Sequence, residues 1–297
     1  MPAIPLLERL VRRRSEAWCR TALVCETSLQ AAVDAAAASL GRCGPADLGL
    51  VFVSASFASD LPRLLPLLQQ RLQARHWLGC LGGGVVGTDS DGIPHEREQE
   101  PALSVTLLHL PGAEVHPFAL DGTNLPDLDG PAEPWQQQVG AGSSGQHSML
   151  LLIDPSCPAI NDLIGGLDYA YPEAVKVGGL AAAHSAPHGS LLSSDGVHQG
   201  AVGCLLSGSW GLDAVVAQGC KPIGPILEVE QAQRNVVLEV STGAQRSSPV
   251  AALQTILSGL SPAEREQVRH SLFLGGGQSG FSLETPAEPA FLVRNLI

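Results

Sequence analysis

The stretch "WLGCLGGGVVGT" (residues 77–88) runs from an apolar, strand-like segment into a series of glycines. From Gly82 onward it satisfies G-x-G-x-x-G, the pattern of dinucleotide-binding loops. That loop requires a helix that begins at its last glycine and holds the pyrophosphate at its N-terminus. Here Gly87 is followed by Thr-Asp-Ser-Asp-Gly-Ile-Pro, which is typical of a turn. We therefore predict a strand end whose glycines permit close backbone approach or a positive φ.

A similar strand end, "VKVGGLAAAH" (residues 175–184), follows about a hundred residues later. Val51 and Gly79 are 28 residues apart, and Leu150 and Gly178 are separated by the same 28 residues. The elements around these positions recur in the order strand, helix, strand, strand, strand. Self-similarity at a fixed spacing indicates an internal duplication.

The elements themselves predict an α/β (layered α+β) fold, in which the duplicated units form mixed sheets covered by helices. "LGLVFVSASF" (48–57) is a continuous apolar run that suits a strand buried on both faces. We expect residues 102–110 and 113–120 to form a hairpin through Pro-Gly, and residues 200–208 and 211–219 to form another.

The spacing divides the chain into two repeats, about 18–120 and 148–220. Residues 121–147 are rich in Gly, Pro, Asp, Gln and Ser, so we expect a linker or surface loop there. The repeats and a following strand pair make one domain over 18–240. Residues 241–297 are expected to start a second domain, which stops so abruptly that we expect a truncation.

Composition excludes several classes of protein. The formal net charge of −12 argues against binding to nucleic acid or to an anionic membrane. Seven cysteines without a Cys-x-x-Cys pair indicate neither a disulfide framework nor a zinc site. The chain shows no secretory signal and no apolar run of 18 residues, so we expect a cytoplasmic protein without membrane insertion.

Catalytic motifs are sparse, and we predict that the chain is not an enzyme. It has no G-x-S-x-G elbow and no P-loop. The run "HEREQE" (95–100) carries three carboxylates and leaves open a hydrolase or transferase. His184 and His188 are four residues apart, but Pro187 and Gly189 place them in a loop, so no metal site is predicted.

An ordered set of stretches resembles the FIST family, whose members carry an N-terminal and a C-terminal FIST domain. The resemblance identifies residues 18–240 as a FIST N-terminal domain and residues 241–297 as part of a C-terminal one. The stretches are "DLGLVFVSASF", "WLGCLGGGVVG", "EPALSVTLLHLPG", "LLLIDPS", "YPEAVKVGGLAA", "GAVGCLLSG" and "GCKPIGP". Where the family commonly has Gly-Cys-Ser, this chain has Leu81, which removes a hydroxyl from that position.

The resemblance implies an intracellular sensory protein of signal transduction that binds a small ligand, such as an amino acid or related metabolite. It also implies a signalling protein as a partner. Backbone amides at the two glycine turns could bind a carboxylate. We predict that the ligand site consists of Gly79, Cys80, Gly82, Gly178, Gly179, Leu180 and His184.

One branch of the family resembles haem-binding, nitric-oxide-sensing proteins, so haem is the cofactor of a second hypothesis. Haem needs an axial His or Cys that faces an apolar pocket. The candidate axial ligands are His76, Cys80 and His184. The leading hypothesis requires no cofactor.

Overall fold

The computed structural model describes residues 16–89, 91–215, 220–234, 236–277 and 291–295. The chain divides into two compact units, residues 1–215 and 216–297. The first unit contains both glycine strand ends. Within the described part of the chain, every helix is too short or too polar to serve as a membrane span.

The first half of the first unit builds most of a six-stranded sheet, which we call sheet A. Its elements are β1 (Trp18–Cys25), α1 (Leu29–Leu40), β2 (Ala46–Ser54), a 3-10 segment (Ala55–Asp60), α2 (Leu61–Arg71), β3 (Ala74–Gly82), β4 (Gly84–Thr88), β5 (Pro94–Glu98) and β6 (Ala102–His109). Strands β4 and β5 form a separate hairpin. The strand order of sheet A is β1-β6-β2-β3-β10-β11, and its last two strands come from the second half of the unit.

The second half builds a four-stranded sheet, sheet B, in the order β7-β12-β8-β9. Its elements are β7 (Ala113–Leu120), α3 (Glu133–Val139), β8 (Ser148–Ile153), α4 (Ile160–Ala170), β9 (Val175–Leu180), β10 (Leu191–Ser193), β11 (Gly196–His198) and β12 (Ala201–Gly208). The mixed α/β architecture that the sequence predicts is therefore present.

Three apolar clusters arrange the unit in four layers, helix, sheet, sheet and helix. One face of sheet A packs against α1 and α2, with Val51 among the buried residues. One face of sheet B packs against α3 and α4, with Leu151 and Trp135 in the cluster. The remaining faces meet between the sheets, where Cys80 of sheet A and Cys204 of sheet B are buried. Side chains alternate across each strand, so both faces of both sheets contribute buried residues, although strand β9 is largely exposed.

Strand order and strand direction correspond between β1-β6-β2-β3 and β7-β12-β8-β9. In each set the first two pairings are antiparallel and the third is parallel. Helices α1 and α2 have counterparts in α3 and α4 along the chain. This correspondence agrees with the order of elements in the sequence, but Gly178 lies opposite Leu151 rather than Leu150, one residue away from the predicted spacing. The duplication remains an interpretation.

Both predicted hairpins are wrong. Strands β6 and β7 are joined by a tight turn, in which Gly112 has a φ of 81°, yet they belong to different sheets. Both edges of β6 are occupied by β1 and β2, and both edges of β12 by β7 and β8, so neither strand has an edge left for its successor. Residues 211–215 form no strand, and residues 216–219 lie outside the described residues.

The segment 121–147, expected to be a linker, contains helix α3. Trp135 of this helix is fully buried against sheet B. A Cβ built at Gly166 of α4 would lie 2.0 Å from the Trp135 ring, so the glycine lets the indole approach the helix backbone. The polar composition concealed this helix because only Trp135 and Val139 of its seven residues are buried.

The second unit contains a three-stranded sheet, two helices and a strand pair. Its elements are β13 (Glu228–Gln233), β14 (Val236–Thr242), β15 (Gln245–Ser247), α5 (Pro249–Ser258), α6 (Pro262–His270), β16 (Phe273–Gly277) and β17 (Phe291–Asn295). Helix α6 begins with a capping box, in which Ser261 Oγ accepts a bond from the Glu264 N–H while the Glu264 carboxylate accepts from Ser261.

Candidate functional site

Gly79 and Gly178 occupy corresponding places in the two sheets. Gly79 of β3 lies opposite Val51 of β2, and Gly178 of β9 lies opposite Leu151 of β8. A Cβ at Gly79 would lie 1.9 Å from the Val51 carbonyl oxygen, and one at Gly178 would lie 1.7 Å from the Leu151 carbonyl oxygen. Each glycine is therefore needed for the packing of a parallel strand pair.

The ends of β3 and β9 meet through the backbone of Leu81. Leu81 N–H donates to the Ser190 carbonyl at 2.9 Å, and Ala182 N–H donates to the Leu81 carbonyl at 2.8 Å. One residue of sheet A therefore holds both ends of the segment 182–190, which we call the histidine loop. We call these two hydrogen bonds the Leu81 clamp. Just before the loop, Ala181 N–H donates to Ile153 at the end of β8.

Asp154, which directly follows β8, fastens the far end of the histidine loop. Its carboxylate is buried, with only 3% of the residue exposed. Oδ2 accepts the backbone N–H and the hydroxyl of Ser190, both at 2.7 Å, and Oδ1 accepts the same two groups of Ser156. Burial raises the pKa of Asp154, but these bonds outweigh it and hold the pKa below its usual value.

Two histidines of the loop lie side by side. The ring centroids of His184 and His188 are 5.3 Å apart, with 35° between the ring planes. His184 Nδ1 accepts the N–H of Ala186 at 3.1 Å, and His188 Nδ1 lies 2.9 Å from the Gly189 carbonyl. His188 Nε2 is shielded from solvent and has no hydrogen-bond partner among the described residues.

The structure brings only some of the predicted site residues together. The Leu81 clamp places Gly82 beside the segment that runs from Leu180 to His184. Gly179 adjoins this place, and a Cβ built on it would meet nothing within 4 Å. Leu180 is 60% exposed. The candidate site therefore consists of the histidine loop, which includes His184, together with Gly82, Gly179 and Leu180.

The other predicted residues, which are Gly79, Cys80 and Gly178, lie two or three residues before the ends of β3 and β9. Gly79 and Gly178 approach the neighbouring strands inside their sheets. Cys80 is buried between the sheets, where burial raises the pKa of its thiol to about 12. A protonated thiol in an apolar layer is a packing group rather than a ligand contact.

Sequence reasoning missed Asp154, Ser190 and His188. The Asp-Pro-Ser run did carry a signal for the first of these, because an Asp side chain often bonds the backbone two residues on. Ser190 had no such signal, since its partner is 36 residues away in the chain. His188 was set aside as a loop histidine, and only the ring geometry distinguishes it.

The described residues do not fit the haem hypothesis. His76 and Cys80 are four residues apart on one strand, which separates them by about 13 Å along β3. The half-buried His76 has its pKa lowered, first by burial and then by Arg75. From residue 182 to residue 188 the loop alternates half-exposed and exposed residues, three of them alanine, and the described residues there form no apolar slot for a planar macrocycle.

The carboxylates of residues 95–100 do not converge on a cleft. Glu96 and Glu98 are exposed on β5. Glu100 lies 3.8 Å from Arg97, which also binds Asp89 at 2.9 Å. The arrangement is that of a solvated hairpin, and it offers no pair of carboxylates for acid and base chemistry.

Comparison of the sequence with known protein families identifies the family of this chain. The family model of the FIST N domain matches residues 47–242, about two thirds of the chain. This chain belongs to the FIST family. FIST domains are sensory, ligand-binding domains of signalling proteins. The match spans sheet B, the histidine loop and the strands of sheet A other than β1.

Two relatives illustrate the match. An uncharacterized protein of Mycobacterium tuberculosis (strain H37Rv) is 28% identical over 265 residues, which are 86% of this chain and 62% of that protein. An uncharacterized protein of Mycobacterium bovis is 28% identical over 289 residues, which are 92% of this chain and 68% of that protein. The chain thus spans 62% of the length of the first of these relatives.

Proposed function

We propose that this chain is a sensory protein of signal transduction that binds a small ligand and acts by binding rather than by catalysis. The observation that carries the proposal is the Leu81 clamp, which joins the ends of the two glycine strands to one loop. Strand ends at a change of chain direction are common places for ligand sites. Membership of the FIST family supports the same function.

The clamp gives a bound ligand a means to affect the protein. Leu81 belongs to sheet A, whereas Ala181 is bonded to the end of a sheet B strand. A ligand that contacts the histidine loop would therefore stabilise a connection between the two sheets. Binding would favour the ordered loop over opened states, and such a shift could be read by a partner.

The finer assignments are proposals as well. We propose an amino acid or a related metabolite as the ligand, the cytoplasm as the location, and a separate signalling protein as the recipient of the signal. The formal charge of −12 supports a partner other than nucleic acid or an anionic membrane.

A thermal-shift screen tests the proposal. The full chain is heated with amino acids, small carboxylates and small amides, and a true ligand raises Tm in proportion to the logarithm of its concentration. We expect Gly179→Val to abolish the rise, because position 179 has room for a side chain that would fill the site. Gly142→Val is the matched control, since it adds the same side chain at another open position.

Two results would contradict the proposal. If no compound raises Tm of the unchanged chain, the chain is not a small-molecule sensor. If a compound raises Tm equally in Gly179→Val and Gly142→Val, it binds away from the candidate site.

A further inference from the structure

Backbone groups fix the proton positions of both loop histidines. A backbone N–H always donates, so the nitrogen that receives the Ala186 N–H, Nδ1 of His184, carries no proton. A carbonyl always accepts, so Nδ1 of His188 must donate its proton to Gly189. In the neutral imidazoles, the proton of His184 is therefore on Nε2 and Nε2 of His188 bears a lone pair.

The two neighbouring rings thus present opposite hydrogen-bonding roles. His184 offers an Nε2–H donor, and His188 offers an Nε2 acceptor. Their ring centroids are 5.3 Å apart, so the donor and the acceptor belong to neighbouring rings. A shielded acceptor without a partner, such as His188 Nε2, costs free energy until a donor reaches it.

We propose that His184 and His188 together recognise a carboxamide, the neutral group that has an acceptor oxygen and a donor nitrogen on one carbon. The carboxamide oxygen accepts from His184 Nε2–H, and its N–H donates to His188 Nε2. This inference rests on the proposed function and names the chemical class of the ligand for the same site.

Ligand groups that only accept or only donate hydrogen bonds leave one of the two neutral histidines unsatisfied. A carboxylate has two acceptor oxygens and no donor, so a carboxylate oxygen would face the lone pair of His188 Nε2 without a proton between them. An ammonium has donors only, so one of its N–H groups would face the Nε2–H of His184 without an acceptor between them. A buried polar group without its partner discriminates strongly between otherwise similar ligands.

Hydrogen bonds from outside the loop anchor both of its ends before any ligand arrives. Leu81 bonds residues at both ends of the loop, and Asp154 bonds Ser190, two residues after His188. Because His188 Nε2 is shielded from solvent, a ligand donor reaches it when the segment between these anchored ends opens. No side chain other than the two histidines is required for the recognition.

The proton positions are tested first, by ¹⁵N NMR of the histidine rings in the full chain at pH 8. His184→Gln and His188→Gln each remove one ring signal and so assign the two rings. We expect the proton on Nε2 in His184 and on Nδ1 in His188. If both rings carry the proton on the same nitrogen, the proposal is overturned.

The ligand class is tested with three probes of nearly equal shape: propionamide, propionate and propylamine. We expect propionamide to bind at least tenfold more tightly than the other two in ligand-observed NMR titrations. His188→Phe keeps a ring but removes both nitrogens, and we expect it to weaken propionamide binding at least tenfold. His116→Phe, on strand β7, is the control and should leave binding unchanged.

Failure of this inference is distinct from failure of the proposed function. Equal or stronger binding of propionate or propylamine, or unchanged propionamide binding in His188→Phe, overturns the carboxamide assignment alone. If His188→Phe fails to fold, His184→Phe serves in its place, with the same expectations. Absence of propionamide binding also overturns the assignment, while the Tm screen decides separately whether any ligand binds.

Discussion

Sheets A and B share strand order and direction, but they differ at the strand that carries the glycine. In sheet A, β3 lies between β2 and β10, so both of its edges are paired. In sheet B, β9 pairs with β8 alone among the described strands, and it forms an edge. The strand that carries the glycine is therefore enclosed by two neighbouring strands in sheet A, whereas in sheet B it has one free edge.

The difference arises because the hairpin of β10 and β11 follows β9 in the chain but pairs with β3. Leu191 and Leu192 of β10 lie opposite Cys80 and Gly79. The chain must cross from sheet B to sheet A to make this pairing, and the histidine loop is the crossing. The candidate site thus exists because the two halves are unequal, since an equivalent pairing of β4 and β5 with β9 is absent from the described strands.

Alanine at the two glycines tests the contrast between the enclosed and the open strand most strongly. A Cβ would lie within 2 Å of a carbonyl oxygen in both cases. Strand β3 cannot move, so we expect Gly79→Ala to lower the free energy of unfolding by about 3 kcal/mol. Strand β9 can shift toward solvent, so Gly178→Ala should cost only about 1 kcal/mol.

Urea unfolding of the full chain, followed by circular dichroism, measures both costs. Gly83→Ala is a suitable control, because a Cβ there would meet nothing within 4 Å. Equal losses of unfolding free energy in the two variants would show that the free edge of β9 does not let the strand move away from the added Cβ. The difference between the enclosed and the open strand would then have no effect on stability.

Buried polar groups at the ends of β2 and β8 provide the next test. Val51 and Leu151 correspond, so Ser54 and Asp154, each three residues further on, correspond as well. Ser54 Oγ accepts one bond, from Ala102, whereas Asp154 accepts four. We expect Asp154→Asn to cost about 2–3 kcal/mol and Ser54→Ala about 1 kcal/mol of unfolding free energy at pH 7.

The pH dependence identifies the carboxylate as the cause. The folded-state pKa of Asp154 is lowered, so its contribution is complete above the unfolded pKa, about 3.9, and is lost as the pH falls through the folded pKa. The variant has no carboxyl group to titrate. The difference in unfolding free energy between the unchanged chain and Asp154→Asn should therefore be constant from pH 7 to about 5 and shrink below about 4. A difference that stays constant down to pH 3 would contradict the role assigned to Asp154.

The sequence predicts the layers better than it predicts the connections. Apolar runs and the recurrent spacing of Gly79 and Gly178 identify the central strands, because burial on both faces leaves a local pattern. Whether β6 pairs with β7 depends on edges already taken by β1 and β2, which no local pattern records. The same limit applies to the candidate site, since Asp154 and Ser190 meet across 36 residues.

Buried tryptophans allow a local comparison of the two halves of the unit, with the smallest expected effects on stability. Each half packs a Trp ring on a glycine: Trp77 on Gly49 across a strand pair, and Trp135 on Gly166 between helices. We expect Gly166→Ala to cost about 2 kcal/mol, because its Cβ would meet the indole. Gly165→Ala, one residue earlier in the same helix and open to solvent, should instead stabilise the protein by about 0.5–1 kcal/mol through helix propensity. Urea unfolding monitored by Trp fluorescence measures both, and a cost at both positions would mean that helix α4, rather than the contact with Trp135, is sensitive to change.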